Sequence, residues 1–222
     1  MAPLFKYFSE LGFALALIER GEIFMQPLAN FRGYEDNNVR RDRDDGRLRY
    51  QPSDGLPVNI EGSEHDEPWE GWRLTSSVKE EDVYVYCLST AKSEHLAQRF
   101  ESQFCVEIEN PVGLIGRIRR SVSMRSRLER NQIYHGPVDY RGLEVIPNAD
   151  WALPEKIAFM KPEGWDWQLE YRVLVGKKRA FDVENVRMTL ETGPQPIAPI
   201  VNHPPLVLRL GDFSRSAQLH RF

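Results

Sequence analysis

The most informative part of the chain is Trp165-Asp166-Trp167-Gln168-Leu169-Glu170-Tyr171-Arg172-Val173-Leu174-Val175. Its second half is a short apolar and aromatic run that ends at Gly176, a pattern typical of a β-strand. Because side chains alternate along a strand, we expect Gln168 and Glu170 to project from the same face. The carboxamide can hold a substrate by hydrogen bonds, and the carboxylate can face a developing positive charge. The alternative is that both residues lie on a solvated face of an antiparallel sheet.

The composition is that of a globular protein. The chain has 222 residues, of which 41% are hydrophobic and 28% charged, enough for one sizeable core. A net charge of −4 argues against attraction of the whole molecule to nucleic acid. Cys87 and Cys105 are too few for a disulfide framework, and no apolar run approaches the roughly 20 residues of a membrane span. We therefore expect a cytoplasmic protein without a membrane partner.

Short apolar runs that are typical of strands outnumber helical patterns along the chain. Residues 4–27 predict strand, helix, strand, with Ser9 as the helix N-cap. Residues 83–88 form the strongest predicted strand, whereas the apolar residues of 112–118 fit either a strand or the start of a helix. The pattern predicts a single α+β domain over residues 1–222, with mixed or antiparallel sheets and a few helices.

A long polar insert interrupts this pattern at about residues 30–77. It is rich in Asn, Asp, Arg and Gly, and strong apolar periodicity does not return before Val78. Such a segment in a compact domain is either a cover over an active site or a solvated surface loop.

One pronounced basic stretch lies at residues 117–130, with six arginines and one glutamate. A phosphate-rich partner such as RNA or DNA is one hypothesis for it, with Arg119, Arg120, Arg125 and Arg127 as contacts. No aromatic residue lies between these arginines, so the stretch does not indicate a base-stacking surface. The alternative is a solvated face of a helix or loop.

Common catalytic motifs are missing from the sequence. The five histidines lie far apart with no ligand spacing, so we expect no metal. Neither a glycine-rich phosphate loop nor a Gly-x-Ser-x-Gly turn occurs. These absences disfavour the common hydrolases and oxidoreductases.

Three short motifs remain: Lys6-Tyr7 on the first predicted strand, Ser89-Thr90 after the central one, and Gln168-x-Glu170 on a late one. In this order they resemble the mono-ADP-ribosyltransferase fold. The chain also resembles an uncharacterised bacterial family with an aromatic Tyr-Lys-Tyr-like start and a late Trp-x-x-Glu-x-Arg motif. Two departures stand out: a lysine stands where the toxin group has arginine, and only two residues of a Ser-Thr-Ser triplet are present.

The resemblance implies that NAD is the substrate and that Glu170 is the essential carboxylate, with Gln168 orienting the acceptor. It further implies that Lys6, Tyr7, Ser89 and Thr90 hold the dinucleotide. The acceptor would be a macromolecule, either nucleic acid or protein. A toxin, an effector or a phage-defence component, with an antitoxin or chaperone as partner, would fit such an activity.

The residues also leave a different class of function open. The chain could be a non-catalytic module that binds RNA or protein through residues 117–130.

Overall fold

The computed structural model describes residues 1–32, 45–59, 61, 67–193 and 203–222, so much of the predicted polar insert lies outside the described residues. The α-helices of the described part are α1 (Leu11–Arg20), α2 (Glu94–Arg99), α3 (Pro111–Ser123) and α4 (Pro154–Ala158). Its strands are β1 (Leu4–Phe8), β2 (Glu22–Pro27), β3 (Arg47–Tyr50), β4 (Trp72–Ser77), β5 (Val83–Ser89), β6 (Phe104–Ile108), β7 (Leu128–Pro137), β8 (Asp139–Arg141), β9 (Met160–Pro162), β10 (Glu170–Lys177), β11 (Arg187–Thr192), β12 (Leu206–Arg209) and β13 (Ala217–Arg221).

Eight of these strands form the main antiparallel sheet. Six follow the order β12-β2-β5-β1-β6-β13, while β10 pairs with β5 and β7 pairs with β10. A second antiparallel sheet has the order β11-β4-β3, and β8 pairs with β9 in parallel. The predicted fold class, a single α+β domain with antiparallel sheets and few helices, is confirmed.

One face of the main sheet packs against α1 and α3. Helix α3 buries Leu114, Ile118 and Val122, whose spacing of four residues puts them on one side of a helix. The Asn110 side chain accepts a hydrogen bond from the Gly113 backbone N–H and caps this helix. Residues 112–118, whose sequence fits either a strand or the start of a helix, therefore belong to a helix.

The other face of the main sheet carries two separate apolar clusters. Around one end, Leu96 and Ala97 of α2 pack against Tyr7 and Cys105. Around the other, β3, β4 and α4 contribute to a cluster that includes Val85 of β5. Alternation along β10 with Leu174, which belongs to the second of these clusters, puts Glu170 and Arg172 on this face as well.

The predicted polar insert is only partly loop. Strands β3 and β4 belong to it, and β4 buries Thr75 and Ser76 rather than large apolar residues. The Ser76 hydroxyl donates to the backbone carbonyl of Trp151 at 2.7 Å, which satisfies it inside the core. Because the buried residues of β4 are polar and lie on both of its faces, apolar periodicity did not predict it.

Candidate functional site

Strand β5 is the centre of the candidate site. Along one edge it pairs with β10 over its whole length. Its other edge is shared, because β1 pairs with it at Ser89 and β2 pairs with it at Tyr84 and Val85. Neither of these strands pairs with residues 86–88. The main sheet is therefore split between β1 and β2.

A cavity of about 500 Å³ lies at this split. Its volume falls within the range of roughly 300–1,000 Å³ that is usual for small-molecule and cofactor sites. Five of the six residues predicted for catalysis and dinucleotide binding line it: Lys6, Tyr7, Ser89, Gln168 and Glu170. Thr90 is not among its lining residues. The structure thus brings together three pieces of chain that are far apart in sequence.

Glu170 is the first residue of β10, and the prediction that Gln168 lies on the same strand was wrong. Gln168 ends a 3₁₀ helix, Glu163–Gln168. Leu169 follows with a left-handed φ of 45°, which only a few per cent of non-glycine residues adopt. The two polar side chains reach the cavity because the chain turns between them, not because a strand alternates.

Ser89 and Thr90 hold this turn. The Ser89 hydroxyl donates to the carbonyl of Gln168 at 3.2 Å, and the Thr90 hydroxyl donates to the carbonyl of Leu169 at the same distance. The Thr90 backbone N–H also donates to Leu169 at 2.8 Å. Both residues therefore act on the backbone immediately before Glu170 and fix where β10 begins.

Lys6 and Tyr7 lie on β1, one of the two strands that border the split. The Lys6 ammonium donates to the carbonyl of Cys87 at 2.8 Å and lies 4.9 Å from the centre of the Tyr86 ring. It thus contacts the part of β5 that pairs with neither β1 nor β2, and it carries positive charge into the cavity wall.

The Tyr7 ring is fixed by hydrogen bonds and packing. Its hydroxyl donates to the carbonyl of Ala91 and accepts from the backbone N–H of Ser93. Its ring lies 5.1 Å from that of Phe100. Burial raises the pKa of Tyr7 to about 12, so the phenol stays protonated. The phenol therefore does not suit proton transfer near neutral pH, and its ring packs against Phe100 and Phe222.

Among the described residues, Glu170 belongs to a buried cluster of charged side chains, hereafter the charge cluster: Asp45, Lys161, Glu170 and Arg172. The Arg172 guanidinium donates to both oxygens of Asp45 at 2.8 Å and to Glu170 at 2.8 Å. The Lys161 ammonium lies 2.9 Å from the second oxygen of Glu170. Two carboxylates and two cations balance, which is how a folded protein tolerates charges shielded from water.

The charge cluster keeps Glu170 ionised. Burial acts to raise the pKa of the Glu170 carboxyl, but attraction to Arg172 and Lys161 outweighs it and holds that pKa well below its ordinary 4.5. Burial likewise opposes the charge on Arg172, and attraction to Asp45 and Glu170 raises its pKa above the ordinary value. At neutral pH the cavity therefore presents an acceptor-only carboxylate in a fixed orientation.

Three residues that contact Glu170 or its partner Arg172 were not predicted from the sequence. Lys161 contacts Glu170 and also donates to the side-chain carbonyl of Gln168 at 2.8 Å. Asp45 lies in the polar insert, and the Tyr140 hydroxyl accepts the backbone N–H of Glu170 at 2.9 Å. None of the three belongs to a motif, and no signal in one sequence marks them.

The four arginines predicted to bind nucleic acid lie apart from the cavity. Arg119 and Arg120 are exposed on α3, and Arg127 is exposed just after it. Arg125 is half-buried and donates to the carbonyl of Val207 at 3.1 Å. Since none of them lines the cavity, a partner bound by the exposed arginines would contact a separate surface.

Comparison with known proteins gives no family for this chain. No family model, no curated protein and no solved structure matches it significantly. Within the described residues no group of three or more His, Cys, Asp or Glu side chains is arranged to hold a metal ion. No helix of this part of the chain has the length and apolar character needed to cross a membrane. The geometry of the cavity is therefore the basis on which a function can be proposed.

Proposed function

We propose that this protein is an ADP-ribosyltransferase that uses NAD and modifies a macromolecule. The observation that carries the proposal is the position of Glu170 in a cavity of the split sheet, together with Lys6, Tyr7 and Ser89. These residues come from three distant parts of the chain, and the sequence motifs predict each of them at such a site. The acceptor, nucleic acid or protein, is left to experiment.

The chemistry requires a stable negative charge beside the sugar. When the bond between ribose C1′ and the nicotinamide nitrogen breaks, the electron pair leaves with nicotinamide and positive charge develops on the ribose. A fixed carboxylate lowers this barrier because it need not reorganise as the charge appears. Glu170 has this property, since Arg172 and Lys161 orient it and keep it ionised.

The cations of the site suit the rest of the dinucleotide. Lys6 and Lys161 both line the cavity, and ammonium groups attract the diphosphate bridge of NAD. Lys161 also donates to Gln168, which fixes the carboxamide beside the carboxylate. An acceptor nucleophile held by Gln168 would then lie next to the ribose carbon that it attacks.

The experiment that tests this proposal follows both halves of NAD. Purified protein is incubated with NAD that is labelled in its adenylate part, with and without cell lysate. We expect release of nicotinamide and transfer of the label to material that trichloroacetic acid precipitates. Protease or nuclease treatment of this material then identifies the class of acceptor.

Two outcomes of this assay change the proposal in different ways. Release of nicotinamide without transfer of label would mean that water is the acceptor and that the enzyme is an NAD hydrolase. If neither nicotinamide release nor transfer occurs with any lysate fraction, the proposal is wrong.

A second candidate function is a module that binds RNA, favoured by the exposure of Arg119, Arg120 and Arg127. Their joint replacement by Ala is expected to weaken RNA binding and to reduce the steepness of the slope of log K against log salt by about 0.7 per arginine. Fluorescence anisotropy with a labelled single-stranded RNA at several salt concentrations measures both quantities.

A charge-matched control separates these contacts from the effect of net charge. Arg187, Arg215 and Arg221 are equally exposed but lie elsewhere on the chain. Replacing these three by Ala removes the same charge and should change the RNA affinity less. Equal losses in the two triple variants, or binding that does not depend on salt, would contradict the second candidate function.

A further inference from the structure

Two phenylalanines at the cavity are unusually exposed. Phe13 on α1 is 48% exposed and Phe24 on β2 is 40% exposed, although both line the cavity. Their ring centroids lie 6.4 Å apart at an interplanar angle of 79°. A large aromatic surface that is left in water at the wall of a cavity indicates a binding surface, because a ligand that covers it removes apolar area from water.

Polar groups flank this aromatic pair. Alternation along β2 puts Glu22, Phe24 and Gln26 on the same wall, and all three line the cavity. The Gln26 side-chain carbonyl accepts a hydrogen bond from Asn30 at 3.0 Å. The amide nitrogen of the Gln26 side chain therefore lies on the side away from Asn30, where it can donate to a ligand. A planar ring with hydrogen-bond acceptors at its edge fits such a wall better than an aliphatic chain does.

A ligand that contacts both Glu170 and Phe24 has to cross β5. This strand lies between β10, which carries Glu170, and β2, which carries Phe24, and where β2 pairs with β5 the walls formed by β2 and β10 are two strand spacings, roughly 10 Å, apart. The Lys6 ammonium contacts the carbonyl of Cys87 on β5, between these walls. A ligand with a sugar at Glu170 and a ring at Phe24 would pass its phosphates across Lys6.

We infer that Phe13 and Phe24 bind the adenine ring of NAD, one phenylalanine by face-to-face stacking and the other through an edge contact, and that the Gln26 amide donates to a ring nitrogen of this base. The inference rests on the proposed function, because Glu170 takes the nicotinamide riboside end and leaves the adenine end for β2. Aromatic stacking tolerates any planar base, so Gln26 provides the hydrogen bond that favours adenine.

Isothermal titration calorimetry with two probes tests the inference. ADP-ribose contains adenine but no nicotinamide, whereas nicotinamide mononucleotide contains no adenine. In the double variant Phe13→Ala/Phe24→Ala, the Kd of ADP-ribose is expected to rise roughly 5- to 100-fold, the range for one lost base stack. The Kd of nicotinamide mononucleotide should stay unchanged, and Phe24→Trp should keep the affinity for ADP-ribose because it keeps an aromatic face.

The control variant is Leu190→Ala, whose side chain is 51% exposed on β11 and does not line the cavity. It should bind both probes as the wild type does.

The inference is overturned if the double variant binds ADP-ribose with wild-type affinity, or if both probes lose affinity equally. In either case nicotinamide release by the wild type would leave the proposed function intact. If the wild type neither binds the probes nor releases nicotinamide, the proposed function fails and the inference fails with it.

Discussion

Replacement of Glu170 by Gln is expected to reduce kcat for nicotinamide release from NAD by about 10²- to 10³-fold, the usual cost of removing one preorganised electrostatic group. The amide keeps the size of the side chain and can still accept a hydrogen bond from Arg172, but it carries no negative charge. It therefore cannot stabilise the ribose as positive charge develops. Chromatographic measurement of nicotinamide at saturating NAD gives kcat directly.

Asp45→Asn is the matched control for this prediction. Asp45 has the same partner, Arg172, and its replacement removes the same charge from the charge cluster. Its side chain does not line the cavity. Both variants should lose thermal stability, and only Glu170→Gln should lose turnover at a temperature where both are folded. Equal loss of turnover in the two variants would mean that Glu170 supports the fold and takes no part in the reaction.

Predictions from sequence were best for strands whose buried side chains are large and apolar. β1 and β2 coincide with the predicted segments because each is a short run of aromatic and apolar residues, and the signals for a helix separate the two runs. β7 was not predicted. Of its ten residues only Leu128 and Ile133 are buried, so its sequence lacks an apolar face. A strand at the edge of a sheet needs little apolar surface, which is why composition alone does not identify it.

The sequence indicates which residues form the candidate site, but it does not indicate which buried charges contact one another there. Glu170 was singled out from a motif, whereas Asp45, its neighbour across Arg172, is 127 residues from that arginine in sequence. A charged residue in a polar segment suggests solvent exposure unless its partner is known. Long-range pairing of buried charges is a property of the tertiary structure, so the charge cluster could not be predicted from the order of residues.

The largest loss of stability is expected for Arg172→Met. Arg172 is fully buried, and its guanidinium binds Asp45 and Glu170. Methionine fills part of the space but removes one of the two buried cations that, among the described residues, contact these carboxylates, and Lys161 is the other. Removing one partner of a buried ion pair lowers the free energy of unfolding by about 3–5 kcal/mol. Unfolding in urea, monitored by tryptophan fluorescence, measures the change in free energy.

The pH dependence of this loss separates a charge effect from a packing effect. Because Arg172 and Lys161 hold the folded-state pKa of Glu170 below 4.5, ionisation of Glu170 stabilises the fold above about pH 4.5, and this contribution declines as the pH falls. Without Arg172 the folded protein protonates this carboxyl more readily. The stability difference between the wild type and Arg172→Met should therefore shrink as the pH is lowered from 7 towards 4. A difference that stays constant over this range would mean that the lost packing of the side chain, rather than unpaired charge, destabilises the variant.

Arg179→Met, which breaks a pair in contact with water, should change stability little at any of these pH values.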